Sequence, residues 1–229
     1  DAVVLGRVTT VSTGKLVGWA ALVGMLAALS YAANLAGDGE TDRDLLYQWS
    51  TAIGGLVQYA VVGGIVLLIA RGLAPGVLGL VRPASWGRAA GAIVLALVAI
   101  WVVGAALDPF LEAGKEQGLV PEEWDSSRAV PFAANFVVVA GVAPLVEELT
   151  YRGLGFAAVR DTFGVAAAVV VTSLAFGLAH GLVVALPILT LFGVILAIVR
   201  LRTESLYPAI VLHALFNGVA LVGAVVVGG

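Results

Sequence analysis

The sequence of 229 residues contains no cysteine, only two histidines and few charges. Without cysteine, disulfide bonds, thiolate metal sites and cysteine nucleophiles are excluded. Aspartate, glutamate, lysine and arginine together make up 12% of the chain, and they form no basic cluster with interleaved aromatic side chains. A nucleic-acid partner is therefore not predicted.

Apolar residues dominate what is present. The chain is 61% hydrophobic with a mean hydropathy of +1.06, whereas soluble domains are about 45–50% apolar. A bilayer span needs about 20 mostly apolar residues. The sequence predicts an all-α, polytopic transmembrane helix bundle that forms one membrane domain over residues 1–229, with the lipid bilayer as its solvent. Its seven segments cover residues 16–36, 50–70, 87–107, 130–152, 162–180, 183–200 and 206–227.

The loops between these segments alternate in charge. Residues 37–49 and 108–129 are rich in aspartate and glutamate, whereas residues 71–88 carry three arginines and no acid. Arginines also follow the fourth and sixth segments. Because cytoplasmic loops collect lysine and arginine, seven spans with a cytoplasmic N-terminus satisfy every loop at once. We therefore expect a multi-pass protein of the cell membrane.

Ionisable side chains inside the apolar segments fall into three groups. An ionisable group at bilayer depth costs several kcal/mol, and such groups usually face the bundle interior and serve function. Each group alone has a structural interpretation, such as a packing ion pair or interhelical hydrogen bonding. Their occurrence on three helices favours a functional site. The groups are Glu147, Glu148 and Arg152; His180; and His213, which is accompanied by the polar but uncharged Asn217.

The spacing within the fourth segment separates the two glutamates by role. Glu148 and Arg152 are four residues apart, so they share a helix face and can form an ion pair that supports the structure. Glu147 points about 100° away and shares its face with Tyr151 rather than with a cation. A carboxylate without a cation partner suits a general base or acid. Glu147 is therefore the candidate for chemistry.

The histidine segments have informative spacings too. His213 and Asn217 are four residues apart and co-facial, so together they can offer polar groups to a polarised carbonyl. His180 is flanked by Gly177 and Gly181, a spacing of small residues that lets a neighbouring helix approach closely.

The predicted heights of these groups differ. Pro144 cannot donate to the carbonyl four residues before it, so a kink is expected one turn before Glu147. At 1.5 Å per residue from the inner turns, Glu147 lies about 20 Å, His180 about 26 Å and His213 about 10 Å up their helices. Bringing them together requires helices that tilt, protrude or start at different heights.

These segments resemble the signature of the CAAX-protease and bacteriocin-processing family of intramembrane peptidases, also called the CPBP or Abi family. The family pattern is two glutamates, three residues and an arginine, then Phe-x-x-x-His, then His-x-x-x-Asn. The resemblance covers roughly residues 130–220, which we expect to form the peptidase core. All three parts are intact, as Glu147, Glu148 and Arg152; Phe176 and His180; and His213 and Asn217.

The resemblance implies an endopeptidase that cleaves a membrane-associated peptide or protein, with its site reached from the cytosolic side. It implies that Glu147 and His180 activate water, while His213 and Asn217 stabilise the oxyanion. Other intramembrane proteases fit worse, because the sequence has no His-Glu-x-x-His, no Gly-x-Ser-Gly nucleophile in these spans and no aspartate pair at bilayer depth.

A metal-dependent site is an open alternative. One carboxylate and two histidines match a catalytic zinc ligand set with an open position. Zinc would then be bound by Glu147, His180 and His213, and a separate base would be needed. Glu148 is the nearest carboxylate, but it is assigned to Arg152, which favours the metal-free site.

Two other functions also stay open. A non-proteolytic scaffold or regulatory member of the same family would keep the bundle without using the site for catalysis. A small proton-coupled transporter would use Glu147 and the histidines as a relay. Such transporters usually show paired repeats with broken helices, and no internal repeat is evident in the sequence.

Overall fold

A computed structural model describes residues 11–36, 44–111 and 124–227. Within these residues the chain forms seven helices, as predicted, together with two short 3₁₀ turns at Leu45–Tyr47 and Ser126–Arg128. The helices are α1 Thr13–Ala36, α2 Trp49–Ile69, α3 Trp86–Leu111, α4 residues 129–163, α5 Val165–Leu178, α6 Leu186–Thr203 and α7 Tyr207–Val227.

Five of these helical segments are long and apolar enough to cross a membrane: Thr13–Ala36, Trp49–Ile69, Trp86–Leu107, Ser126–Phe163 and Leu186–Thr203. Two apolar helices are shorter, Val165–Leu178 and Tyr207–Gly223. At 14 residues, α5 is about 21 Å long, whereas the hydrocarbon core of a bilayer is about 30 Å thick. The turn that follows α5 therefore begins at membrane depth if α5 starts at the membrane surface.

Helix α4 is a continuous rod that changes its hydrogen-bonding pattern twice. It takes a π-helical form at Val138–Val142 and again at Leu149–Gly155, on either side of a short α-helical piece at Ala143–Glu148. The first π segment ends two residues before Pro144, where the sequence predicted a kink. The rod ends at Phe163, so the predicted end of the fourth segment at residue 152 was wrong. Both glutamates thus lie between two π segments, which occur frequently at functional sites.

Backbone contacts bring the basic loops to one end of the bundle. Leu206 donates its N–H to Gly79 O at 2.7 Å, and the Ser205 hydroxyl donates to Val81 O at 2.6 Å, which joins the loop before α3 to the turn before α7. At the same end, Lys15 at the start of α1 donates to the carbonyl of Arg71 after α2.

The opposite end holds the loop before α2 against the start of α4. Arg128 pairs with Asp44 at 3.1 Å and with Asp125, and hydrogen bonds from Ser127 and Arg128 lower the pKa of the Asp125 carboxyl to about 2. Buried Asn135 donates to the carbonyl of Leu46 at 3.0 Å. The acidic residues Asp38, Glu40 and Asp42, and residues 112–123, lie outside the described residues.

Candidate active site

Glu148, Arg152 and His213 form a buried polar group at the centre of the bundle. Glu148 and Arg152 are fully buried, and Arg152 Nη1 donates to Glu148 Oε1 at 3.0 Å, so the predicted ion pair is present. The same oxygen lies 3.0 Å from His213 Nδ1. Arg152 Nη2 donates to Gly193 O at 3.0 Å in α6. Three helices therefore meet on one carboxylate–guanidinium pair.

Glu147 has a different environment from its neighbour. Its side chain is 17% exposed, and its Oε1 accepts a hydrogen bond of 2.8 Å from the hydroxyl of Tyr59 in α2. Its Oε2 lies 3.7 Å from His213 Nε2, which is too long for a hydrogen bond. Neither lysine nor arginine pairs with Glu147 among the described residues. This carboxylate is therefore free of a fixed cation, as its helix face predicted, and it is also partly exposed.

The ring of His213 is held edge-on between aromatic side chains. It contacts Phe192 and Phe176 with ring centroids 5.1 and 5.7 Å apart, and only 2% of the residue is exposed. With one nitrogen toward Glu148 and the other toward Glu147, His213 bridges the two carboxylates. Sequence reasoning placed His213 near the site but did not predict this bridging position.

His180 lies in the turn after α5 rather than inside a helix, because α5 ends at Leu178. Its Nδ1 is 2.8 Å from the carbonyl oxygen of Phe176. A carbonyl can only accept, so Nδ1 carries the proton and Nε2 of the neutral ring has a free lone pair. The His180 ring also packs against the Phe176 ring at 4.7 Å. The predicted end of this segment at residue 180 was two residues too late.

Polar side chains of α1 satisfy the carbonyls of the turn that carries His180. Ser30 donates to Ala179 O and Asn34 to Gly181 O, both at 2.8 Å, while Tyr31 donates to Leu182 O at 3.2 Å. Irregular backbone at membrane depth is tolerated only where its polar groups find partners. Helix α1 therefore fixes the position of His180.

The two glycines beside His180 do allow close approach, and by two different helices. A Cβ on Gly177 would lie 2.7 Å from Thr190 Oγ1 in α6, and one on Gly181 would lie 2.6 Å from the backbone carbon of Ser30 in α1. Gly181 also has a φ of +69°, in the left-handed region that favours glycine. The close packing predicted from the glycine spacing is confirmed.

Asn217 lies one turn after His213 on α7 and reaches the first π segment of α4. Its Nδ2 donates to Val139 O at 2.9 Å. This bond uses one of the two amide hydrogens, and the other remains available to a ligand. Asn217 therefore helps to stabilise the π segment that precedes Glu147.

Comparison with known families identifies the segment that holds these groups. Residues 129–219 match the family of type II CAAX prenyl endopeptidases, described as Rce1-like. The chain carries an Rce1-like domain. This domain begins at the start of α4 and ends within α7, close to the peptidase core expected from the motifs. No curated protein and no solved structure matches the chain.

The Rce1-like domain contains every side chain that the motifs singled out, but it does not contain all those that touch the site. Tyr59 in α2 and Ser30, Tyr31 and Asn34 in α1 lie outside residues 129–219. Sequence reasoning missed them because none belongs to a motif. Polar side chains inside apolar spans were the available signal, since polar groups at that depth tend to be functional.

The proposed zinc ligands of the Rce1-like domain are not assembled in this arrangement. Among the described residues, no group of three His, Asp or Glu side chains is placed to hold a metal ion. Glu147 and His213 approach each other, but no hydrogen bond or ion pair joins either described residue to His180.

Proposed function

We propose that the chain is an intramembrane endopeptidase that hydrolyses a peptide bond of a membrane-associated peptide or protein. The contrast between two adjacent glutamates carries this proposal. Glu148 is fully buried and paired with Arg152, whereas Glu147 is partly exposed and has no cation. Family membership of the domain implies a protease, and this pair supplies a carboxylate suited to proton transfer.

Water activation is assigned to Glu147 and His180. The free lone pair of His180 Nε2 and the partly exposed carboxylate of Glu147 are both proton acceptors. One of them removes a proton from water as its oxygen attacks the scissile carbonyl. The proton then passes to the leaving amine as the C–N bond breaks, which regenerates the base.

Oxyanion stabilisation is assigned to His213 and Asn217. When His213 carries a proton on both nitrogens, its charge and that of Arg152 balance the two glutamates. Its Nε2–H then points into the gap toward Glu147 Oε2. A substrate carbonyl oxygen bound beside Nε2 would accept from His213 and from the second amide hydrogen of Asn217. Donors fixed in advance in a site without bulk water are the largest single contribution in many acyl-transfer enzymes.

An apolar cavity beside the site could bind an apolar segment of the substrate. It has a volume of about 450 Å³ and lies between α3, α6 and α7, where Gly104, Phe192 and Phe216 are among its lining residues. Phe192 contacts both Phe216 and His213, with ring centroids 4.6 and 5.1 Å apart. A side chain or lipid-like group of the substrate bound there would lie next to the oxyanion donors.

The basic end of the bundle is assigned to the cytosol, so the N-terminus is cytosolic in a cell-membrane protein. The Arg-rich loop 71–88 and the turn after Arg202 are joined at this end. A cysteine at Ala74 should react with an impermeant thiol reagent only after permeabilisation, and one at Ser126 should react in intact cells. Both positions are exposed, and the chain has no native cysteine. The reverse pattern would overturn the orientation.

The function itself is tested by comparing membrane peptides from cells that express the wild-type chain or Glu147→Gln. A protease substrate should accumulate uncut in the variant and appear as a shorter product in the wild type. Identical peptide profiles at equal protein abundance would contradict the peptidase proposal.

A further inference from the structure

Tyr59 connects α2 to the candidate base. Its hydroxyl donates to Glu147 Oε1 at 2.8 Å, and it lies 70 residues before the start of the Rce1-like domain. We propose that Tyr59 is a positioning residue that holds the carboxylate of Glu147 in its reactive orientation. This inference rests on the proposed peptidase function.

Glycines one turn before and one turn after Tyr59 allow α2 to pack closely against α4. A Cβ on Gly55 would lie 2.9 Å from Val138 Cγ1, and one on Gly63 would lie 3.5 Å from Val146 Cγ2. Residues four apart share a helix face. Gly55, Tyr59 and Gly63 therefore form one stripe that packs on α4, and the small residues let the tyrosine reach Glu147.

Holding Oε1 leaves the other carboxylate oxygen for chemistry. Oε2 faces His213 Nε2 across 3.7 Å and is not hydrogen-bonded to it. A glutamate side chain has several rotatable bonds, so one hydrogen bond at Oε1 restricts the direction in which Oε2 points. A water bound at Oε2 would then have a fixed position relative to the oxyanion donors.

No other nearby donor in the described part of the chain replaces Tyr59 as the hydrogen-bond partner of Glu147. The bonds of Arg152 go to Glu148 and Gly193, and those of His180 go to Phe176. Among the described residues, the hydroxyl of Tyr59 is the one side-chain donor that bonds Glu147. A purely structural tyrosine would serve equally well with any buried acceptor, whereas this one meets the partly exposed carboxylate assigned to catalysis.

The first test reads the contact without requiring activity. Infrared spectra of the purified chain in detergent would assign the Glu147 carboxylate band by its loss in Glu147→Gln. We expect Tyr59→Phe to shift this band and Tyr207→Phe to leave it unchanged. Tyr207 undergoes the same chemical change at the start of α7, away from the site. An unshifted band in Tyr59→Phe would overturn the proposal.

The second test measures catalysis with the membrane peptide that accumulates in Glu147→Gln cells. Displacing a catalytic group by about 1 Å costs on the order of 10²-fold in rate. We therefore expect kcat of Tyr59→Phe to fall roughly 10- to 100-fold. KM should stay unchanged, since Tyr59 is assigned no contact with substrate. A shifted infrared band with unchanged kcat would overturn the positioning role. If wild type and Glu147→Gln do not differ, the proposed peptidase function itself fails, whatever the band shows.

Adjacent glycines supply a matched pair of variants for the approach of α2. Gly55→Leu would push α2 away from Val138, whereas Gly54→Leu points into open space, with nothing within 4 Å of its Cβ. We expect Gly55→Leu to shift the Glu147 band and lower kcat as Tyr59→Phe does, and Gly54→Leu to do neither. If the two leucine variants had the same Glu147 band and the same kcat, the packing of Gly55 on α4 would not be what brings Tyr59 to Glu147.

Discussion

One oxygen of Glu148 serves both Arg152 and His213. Glu148 Oε1 accepts from Arg152 Nη1 at 3.0 Å and lies 3.0 Å from His213 Nδ1, while Oε2 of the same carboxylate has no hydrogen-bond partner among the described residues. The orientation of the His213 ring is therefore coupled to the ion pair on α4. A change at Glu148 should affect both stability and the neighbouring site.

This coupling predicts unequal effects for the two adjacent glutamates. Glu148→Ala leaves a fully buried Arg152 without its counter-charge, which should lower the free energy of unfolding by roughly 3–5 kcal/mol. Glu147→Gln keeps an acceptor for Tyr59 at a partly exposed position, so its effect should be much smaller. Thermal unfolding in detergent compares the variants. A Glu147→Gln protein less stable than Glu148→Ala would reverse the assigned roles.

The cavity beside the site predicts that filling it weakens substrate binding. Gly104 lines the cavity, and a Cβ there has nothing within 4 Å, so Gly104→Leu extends into the cavity without a backbone clash. Gly91→Leu is the control, because it lies on the same helix, is equally open and does not line the cavity. We expect KM to rise at least tenfold for Gly104→Leu alone. Similar KM values for the two variants would show that the cavity does not bind the substrate.

The number and class of the helices could be predicted because hydropathy and length report directly on membrane spans. The ion pair of Glu148 with Arg152 and the close packing at Gly177 and Gly181 were also predictable, since each depends on residues close in sequence. Helical spacing carries that information without any knowledge of the tertiary structure.

The heights of the groups could not be predicted from straight, regular helices. A uniform rise placed Glu147 about 10 Å higher than His213, yet their side chains approach to 3.7 Å. Two π segments change the rise per residue of α4, and α5 ends before His180. The uniform rise of about 1.5 Å per residue that the predicted heights assumed therefore does not hold for either helix. Tyr59 was missed for another reason, because its partner lies 88 residues away and tertiary packing alone brings them together.

The fixed turn at His180 predicts a specific sensitivity at Gly181. Gly181 and Gly164 both have positive φ, at +69° and +89°, but only Gly181 packs against another helix. Gly164→Ala should cost on the order of 1–3 kcal/mol through backbone strain alone, because its φ of +89° and ψ of 172° lie in a region almost restricted to glycine. Gly181→Ala adds a clash with Ser30, so it should be less stable and should increase hydrogen exchange in residues 179–185. Equal effects of the two variants would contradict the role of α1 in holding this turn.

The arrangement of Glu147, His180 and His213 also predicts the response to metal removal. Because no group of three such side chains is placed to hold a metal ion among the described residues, we expect less than one zinc per chain after purification and full activity in the presence of a strong chelator. Elemental analysis and peptide cleavage measure these two quantities. Stoichiometric zinc that disappears in His180→Ala would instead show that the three residues close around a metal.

Combined substitutions distinguish a catalytic unit from independent contributions. If Glu147 and His180 activate one water, either Glu147→Gln or His180→Ala should abolish cleavage, and the double variant should be scarcely slower, because groups that act as a unit are strongly non-additive. Asn217→Ala removes one oxyanion donor and should retain a trace of activity, with a loss of about 10²–10³ in rate.

The same variants separate catalysis from a scaffold role in cells. If the chain were a scaffold, its function would depend on the outer faces of the helices. Glu147→Gln at normal abundance would then fully rescue a strain that lacks the gene. A protease with this base removed should fail to rescue, although the protein folds and accumulates normally. Failure of Glu147→Gln together with rescue by Tyr207→Phe is therefore the expected outcome. Full rescue by Glu147→Gln would mean that the Glu147, His180, His213 and Asn217 constellation does not serve catalysis in this protein.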